Sequence, residues 1–266
     1  MLVKDVVNII EQLAPPSLAE GWDNVGLLVG DGDAVCKKIL FALDATDEVI
    51  AEAAAAGADM IVTHHPIIFK GVNALNTSTA LGRRLLKLVK NDIAVYCAHT
   101  SLDIAQGGTN DILAQLIGLK DVQGLMQTEN GMLGRVGDLE EKTTLKALTN
   151  KLIKALGMPA ANVTGSPETE VLRVGLCTGS GADRDFMLAA KNALCDVYIT
   201  GDVKYHEAQF AQDIGLCLID ATHYYTESIA MPRVCAYVRE HSGLECVVTD
   251  TNGESFKTVT ADTTGE

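Results

Sequence analysis

Hydrophobic and polar positions switch between two periods along this chain. Residues 3–13 carry apolar side chains at helical spacing, and Ala14-Pro15-Pro16 ends the run. The turn-rich stretch Gly21-Trp22-Asp23-Asn24-Val25-Gly26 then leads into apolar residues and predicts a strand entered through a tight turn. In that turn the expectation is a packed Trp22, with Asp23 and Asn24 bonding nearby amides. Residues 38–43 read as a strand, and Thr46 with an acidic first turn starts a helix that stops at Gly57. The buried-looking strand 60–63 follows, then a helix over about 78–90, a strand over 93–98 and a helical pattern from Gly107-Gly108 through Ile117. Strands alternating with helices in this way predict parallel pairing, with ligands at the carboxyl ends of the strands.

The pattern weakens over 121–170, where Gly131, Gly134 and Gly137 surround Arg135, before an amphipathic helix over about 144–156 and a polar, proline-containing loop. From 171 it resumes: strand 172–177, the tight loop Thr178-Gly179-Ser180-Gly181, helix 183–193, strand 195–200 ending in Gly201-Asp202, another helix, and strand 216–220. The two halves also match in detail. Residues 57–65, GADMIVTHH, align with 194–202, LCDVYITGD, and His99-x-x-x-Asp103 aligns with His223-x-x-x-Glu227. The expected fold is α/β: two similar lobes with largely parallel sheets, related by internal duplication, the first over 1–125 and the second over 126–266, with a site between them.

Pro66 lacks an N–H and favours a turn after His65, so both imidazoles of His64-His65 can face one cavity. On the dipeptide alone, metal ligation and bonding to nearby backbone are equal alternatives. A His and a carboxylate four residues apart at a strand edge in each half add donors. If the lobes pack face to face, His64, His65, Asp103, His223 and Glu227 form a mixed imidazole and carboxylate set, too large for one tetrahedral zinc and sufficient for two divalent ions, with Asp103 and Glu227 expected to bridge. His99 is expected to orient a ligand or move protons rather than bind metal. His206 and His241 fall in helical patterns and read as surface or core residues. The Gly179-Ser180-Gly181 loop reads as a turn more readily than as an anion cradle.

Composition narrows the classes. The 266 residues are 47% hydrophobic and 21% charged, an ordinary globular balance, with no apolar run near the about 20 residues of a membrane span. A net charge of −14 repels phosphate backbones and argues against nucleic acid as a general partner. Seven cysteines without C-x-x-C spacing read as buried free thiols, and with no signal-peptide layout at the start a cytoplasmic location is expected.

Taken together, Trp22-Asp23-Asn24-Val25-Gly26-Leu27, Thr63-His64-His65-Pro66 with Phe69, His99-Thr100 with Leu102-Asp103, Gly107-Gly108-x-Asn110, Gly179-Ser180-Gly181, Thr200-Gly201-Asp202 and His223 with Thr226-Glu227 resemble the GTP cyclohydrolase 1 type 2 homologue family, also called the NGG-interacting factor 3-like family. The resemblance spans about residues 3–250. It implies a two-lobed α/β protein with a dinuclear divalent-metal site on His64, His65, Asp103, His223 and Glu227, assembled as a toroidal homohexamer, and a nucleotide-like substrate. The implied activity is metal-dependent opening of the purine ring of GTP with release of formate; phosphoester hydrolysis and a non-catalytic metal-binding or regulatory ring are the alternatives. Zinc, iron, manganese and nickel all suit such ligands. Two positions depart from the family pattern: Thr222 stands where glycine usually precedes the second-lobe histidine, and Ser101 where asparagine is frequent.

Overall fold

The computed structural model describes residues 1–259. Its elements run α1 (Val3–Leu13), β1 (Gly26–Val29), β2 (Lys38–Ala42), α2 (Asp47–Ala56), β3 (Met60–Thr63), α3 (Ala80–Lys90), β4 (Ala94–Cys97), α4 (Thr100–Ile104) and α5 (Thr109–Ile117). They continue with β5 (Lys120–Gln127), β6 (Met132–Thr144), α6 (Leu145–Leu156), β7 (Asn162–Thr164), β8 (Glu170–Leu176), α7 (Arg184–Asn192), β9 (Val197–Thr200), α8 (Tyr205–Asp213) and β10 (Cys217–Asp220). Last come α9 (His223–Ser228), α10 (Ala230–Ser242) and β11 (Glu245–Val248).

These strands form two sheets, ordered β1-β4-β3-β2-β11 and β5-β6-β8-β9-β10-β7. In the first, β4, β3, β2 and β11 are parallel neighbours and β1 closes the edge antiparallel. In the second, β8, β9 and β10 are parallel neighbours, while β5, β6 and β7 pair antiparallel. Each half thus contains a run of three parallel strands, β2-β3-β4 and β8-β9-β10, followed by a short helix, α4 or α9. The central strands β3 and β9 are buried throughout, as strands covered on both faces must be, which is why their sequences are apolar rather than alternating.

The weak pattern over 121–170 resolves into a long hairpin, β5 and β6, with α6 and the short β7 beyond it. Glycines and charges hid the strands: half of β5 faces solvent, and Gly124 lies so close to Met132 that a Cβ there would approach its side chain to 2.3 Å.

The expected lobe division also needs correction. The 125 boundary falls inside β5, and the chain returns to the first sheet at its end, where β11 pairs with β2. Ala230, Met231, Val234 and Val238 of α10 join α1 and β2 in one apolar core. The physical reason is simple: β2 would otherwise be an open edge, and α10 lies beside α1 on the same face of the sheet, extending its cover, while α2 and α3 cover the other face. Residues 260–266 of the expected second lobe lie outside the described residues.

Candidate metal centre

The carboxyl ends of the two parallel runs face each other, and the chemistry collects there. At the end of β3 the hydroxyl of Thr63 donates to the carbonyl of His65 (2.8 Å), while the amide of His65 donates to Leu43 O (3.0 Å). These bonds fold the chain back after Thr63 and let two consecutive imidazoles point the same way, against the alternation of a strand. At the end of β4, His99 is the residue before α4, which carries Asp103. At the end of β10, α9 begins with His223 and places Glu227 one turn further on.

Across the gap between lobes, His65 Nε2 lies 3.1 Å from His223 Nε2 and 2.9 Å from Glu227 Oε2, and His223 Nε2 is also 2.9 Å from Glu227 Oε2. His64, fully buried, aims Nε2 between Asp103 Oδ1 at 3.6 Å and Glu227 Oε1 at 3.5 Å, both beyond a good hydrogen bond, and this nitrogen has no partner. All five expected residues therefore meet. His65, His223 and Glu227 form one cluster of potential metal donors, and His64, Asp103 and Glu227 a second; Glu227 belongs to both. Asp103 falls in one of them only. A third cluster joins His99 to His64 and His65.

The other ring nitrogens explain the orientation. Nδ1 of His64 faces the carbonyl of Ala98 (3.0 Å), Nδ1 of His65 faces Asp44 (2.9 Å), Nδ1 of His99 faces Asp23 (2.9 Å) and Nδ1 of His223 faces Asp202 (2.8 Å). An oxygen behind each imidazole holds Nδ1 and turns the other ring nitrogen toward the centre, the usual arrangement behind metal-binding histidines. The orphaned Nε2 of buried His64 and the two imidazole nitrogens crowded onto one carboxylate oxygen suit cation binding, and this buried group of His, Asp and Glu can hold a metal ion.

Charges follow the geometry. Burial disfavours the protonated form of His65, but its hydrogen bonds to Asp44 and Glu227 outweigh that and raise it to about 10. His223, likewise opposed by burial, rises to about 9 through Glu227 and Asp202. Burial pushes Asp103 above the ordinary aspartate range despite the neighbouring His64. Glu227 goes the other way: burial would raise it, yet the charge of His64 and the bonds from His223 hold it well below. Asp23, buried as well, is brought down to about 2 by His99 and Thr100.

A polar net pins these groups. The hydroxyl of Thr109 donates to Asp103, Thr178 Oγ1 donates to Thr109 Oγ1 (3.0 Å), and the amide of Thr178 donates to Asn110 Oδ1 (2.9 Å), tying the lobes together beneath the site. Gly179 adopts φ +68°, and a Cβ there would sit 2.0 Å from Glu227 Oε1. This loop is therefore a turn that lets Glu227 approach, not an anion cradle.

Several expectations change. Trp22 is not packed: it is 60% exposed, with its ring 5.9 Å from Phe69 and edge-on to His99. Asp23 does more than bond the Asn24 amide, because it also holds His99 and Thr100. Asp44 and Asp202, absent from the sequence-based set, back two imidazoles; the signal that marks them is an acid just past the end of β2 and of β9. His206 and His241 lie at the surface, away from the cluster, and all seven cysteines are buried and unpaired. Beside His65 and His223 opens a cavity of 440 Å³, bordered by Asp44, Asp202, Thr222, Tyr224 and the segment 253–256. No described helix is long and apolar enough to cross a membrane.

Comparison with known proteins fits this picture. A curated protein of Clostridium perfringens, named GTP cyclohydrolase 1 type 2 homolog, is 36% identical over 97% of this chain and 99% of its own length. A solved Staphylococcus aureus protein superposes with a TM-score of 0.89 at 28% identity, covering 97% of this chain and 99% of that one. A Bacillus cereus protein described as related to NIF3 shares the fold, with a TM-score of 0.91 at 24% identity over 97% and 99% of the two chains. The Duf34/NIF3 (NGG1p interacting factor 3) family profile matches residues 1–254, and the chain belongs to that family.

Proposed function

We propose that this chain is a metal-dependent hydrolase with two divalent ions between its lobes, acting on a purine nucleotide. The observation that carries the reading is the pair of donor clusters sharing Glu227, with every imidazole held from behind by an oxygen. In this reading Glu227 bridges, His65 and His223 serve one ion, and His64 and Asp103 serve the other. Asp103 is thus moved from the bridging role expected from sequence to a terminal one, because it stands in one cluster alone. Bound ions would supply Lewis acidity, lowering the pKa of a water toward about 7 and polarising the substrate. Zinc, iron, manganese and nickel remain equally suited.

His99 is the proton carrier. Asp23 accepts from one ring nitrogen and keeps the imidazole oriented, and the other lies beside His64 and His65 without being needed for either ion. The nucleotide substrate and the chemistry, opening of the purine ring of GTP with loss of formate, follow the name carried by the curated relatives. The same reading includes a toroidal homohexamer and a cytoplasmic location. Seven unpaired cysteines suit the second.

The test is formate release from GTP by manganese- or zinc-loaded protein, run beside Glu227→Ala. Formate from the parent protein alone supports the reading. No formate from fully metal-loaded protein overturns ring opening, and phosphate release in the same assay would redirect the hydrolysis to a phosphoester.

A further inference from the structure

Trp22 and Phe69 remain unexplained by the metal centre. Both are large aromatic residues left in solvent, at 60% and 46% exposed, and they stand together with ring centroids 5.9 Å apart and planes tilted by 45°. Isolated exposed hydrophobes are common, but an aromatic pair beside a cluster of ionisable groups is a feature of ligand sites. The chain segments that carry both rings are also held. The turn carrying Trp22 is fixed by Asp23, which accepts from His99 and from the amide and hydroxyl of Thr100. The side-chain amide of Asn24 donates to the carbonyl of Ile68, next to Phe69, so the same tripeptide anchors the second ring. The pair is then coupled to the metal centre through His99, whose ring meets Trp22 edge-on at 6.1 Å and lies 5.1 Å from His64 and 5.5 Å from His65.

We propose that Trp22 and Phe69 form a stacking platform for the purine ring of the substrate, placing that ring over His99 and against the metal cluster. This inference rests on the hydrolase reading for the substrate's identity, but its own claim is binding. Stacking suits these residues because it needs a flat apolar face and no hydrogen-bond partners. It also gives Asp23 a double duty: one carboxylate orients the proton-carrying imidazole and the turn that holds the platform.

Trp22 is the chain's single tryptophan, so its fluorescence reports this place alone. Zinc-loaded protein is titrated with guanosine, GTP and ribose 5-phosphate while Trp22 emission is followed. Guanosine and GTP are expected to change the emission saturably and ribose 5-phosphate to leave it unaltered. Phe69→Ala should weaken guanosine binding roughly 10-fold or more, and Trp22→Leu should do the same by calorimetry, both with unchanged zinc content and native mass. Equal guanosine affinity in the parent and both variants overturns the proposal. So does emission that ignores every ligand but shifts with protein concentration, which would make this face a contact between copies. Guanosine binding on Trp22 without turnover of any nucleotide would leave the platform standing and sink the hydrolase reading; turnover with Trp22 silent would do the reverse.

Discussion

Helices α4 and α9 follow matching strands, β4 and β10, and bring the same spacing to the site: His99-x-x-x-Asp103 and His223-x-x-x-Glu227. Their histidines nevertheless behave differently. His223 and Glu227 meet each other at 2.9 Å, one turn apart on one helix. His99 instead is held by Asp23, while Asp103 belongs to the buried group with His64 and takes a hydrogen bond from Thr109. The backing acids differ too, since the Asp23 side chain is buried and that of Asp202 is 48% exposed. The lesson is that a repeated spacing delivers side chains to an edge, and the surrounding lobe decides what they do. In the proposed reading the α9 pair is a metal-binding unit on the open side of the centre, and the α4 pair is split between a proton carrier and a buried ligand.

The largest expected effect comes from breaking the point where the two helices meet. Glu227→Ala should remove both ions, because its carboxylate belongs to both donor clusters. Asp103→Ala, the matching change on α4, should remove only about one of them and leave the His65 and His223 side loaded. Elemental analysis of purified protein, with circular dichroism to check folding, reads this directly. Equal loss from both variants would return Asp103 to a bridging role.

Next in size is the contrast between the histidines. His223→Ala should cost an ion, whereas His99→Ala should keep the metal content of the parent protein and lose most turnover, typically about 100-fold or more for a general acid or base. A loss of metal from His99→Ala would make it a ligand and end the contrast between the helices.

Much of this was legible in the chain because strand ends are local features. An apolar run that stops at His64-His65-Pro66, and a His four residues before an acid at two later strand ends, place six candidate side chains on two edges before any packing is known. What packs behind them is not local. Asp44 lies 21 residues before His65, Asp202 lies 21 before His223, and Asp23 lies 76 before His99; each reaches its imidazole only when separate strands or turns come side by side. The return of β11 to the first sheet was hidden for the same reason, since pairing with β2 joins segments from opposite ends of the chain. Trp22 misled because an apolar ring in a turn reads as core, and only the folded loops show it facing outward.

A smaller effect is expected from Gly179, which packs against the carboxylate that α9 carries. At φ +68° and with Glu227 Oε1 2.0 Å from where a Cβ would stand, Gly179→Ala must displace either the loop or the carboxylate. A destabilisation of roughly 1–3 kcal/mol is expected from denaturant melts of metal-free protein. Metal affinity should fall as well, because the carboxylate that moves is the shared one. An unchanged midpoint with unchanged metal content would mean that the loop yields freely and does not position Glu227.

The finest test separates the two backing acids. Asp202→Asn keeps the shape beside His223 but removes the charge behind its imidazole, and metal affinity should drop about 10-fold. Asp23→Asn makes the same change behind His99, so it should leave metal affinity unaltered and lower turnover instead. Competition with a chelator measures the first and steady-state rates the second. If both variants weakened metal binding alike, His99 and His223 would be doing one job after all, and the difference between α4 and α9 would lie in burial rather than in function.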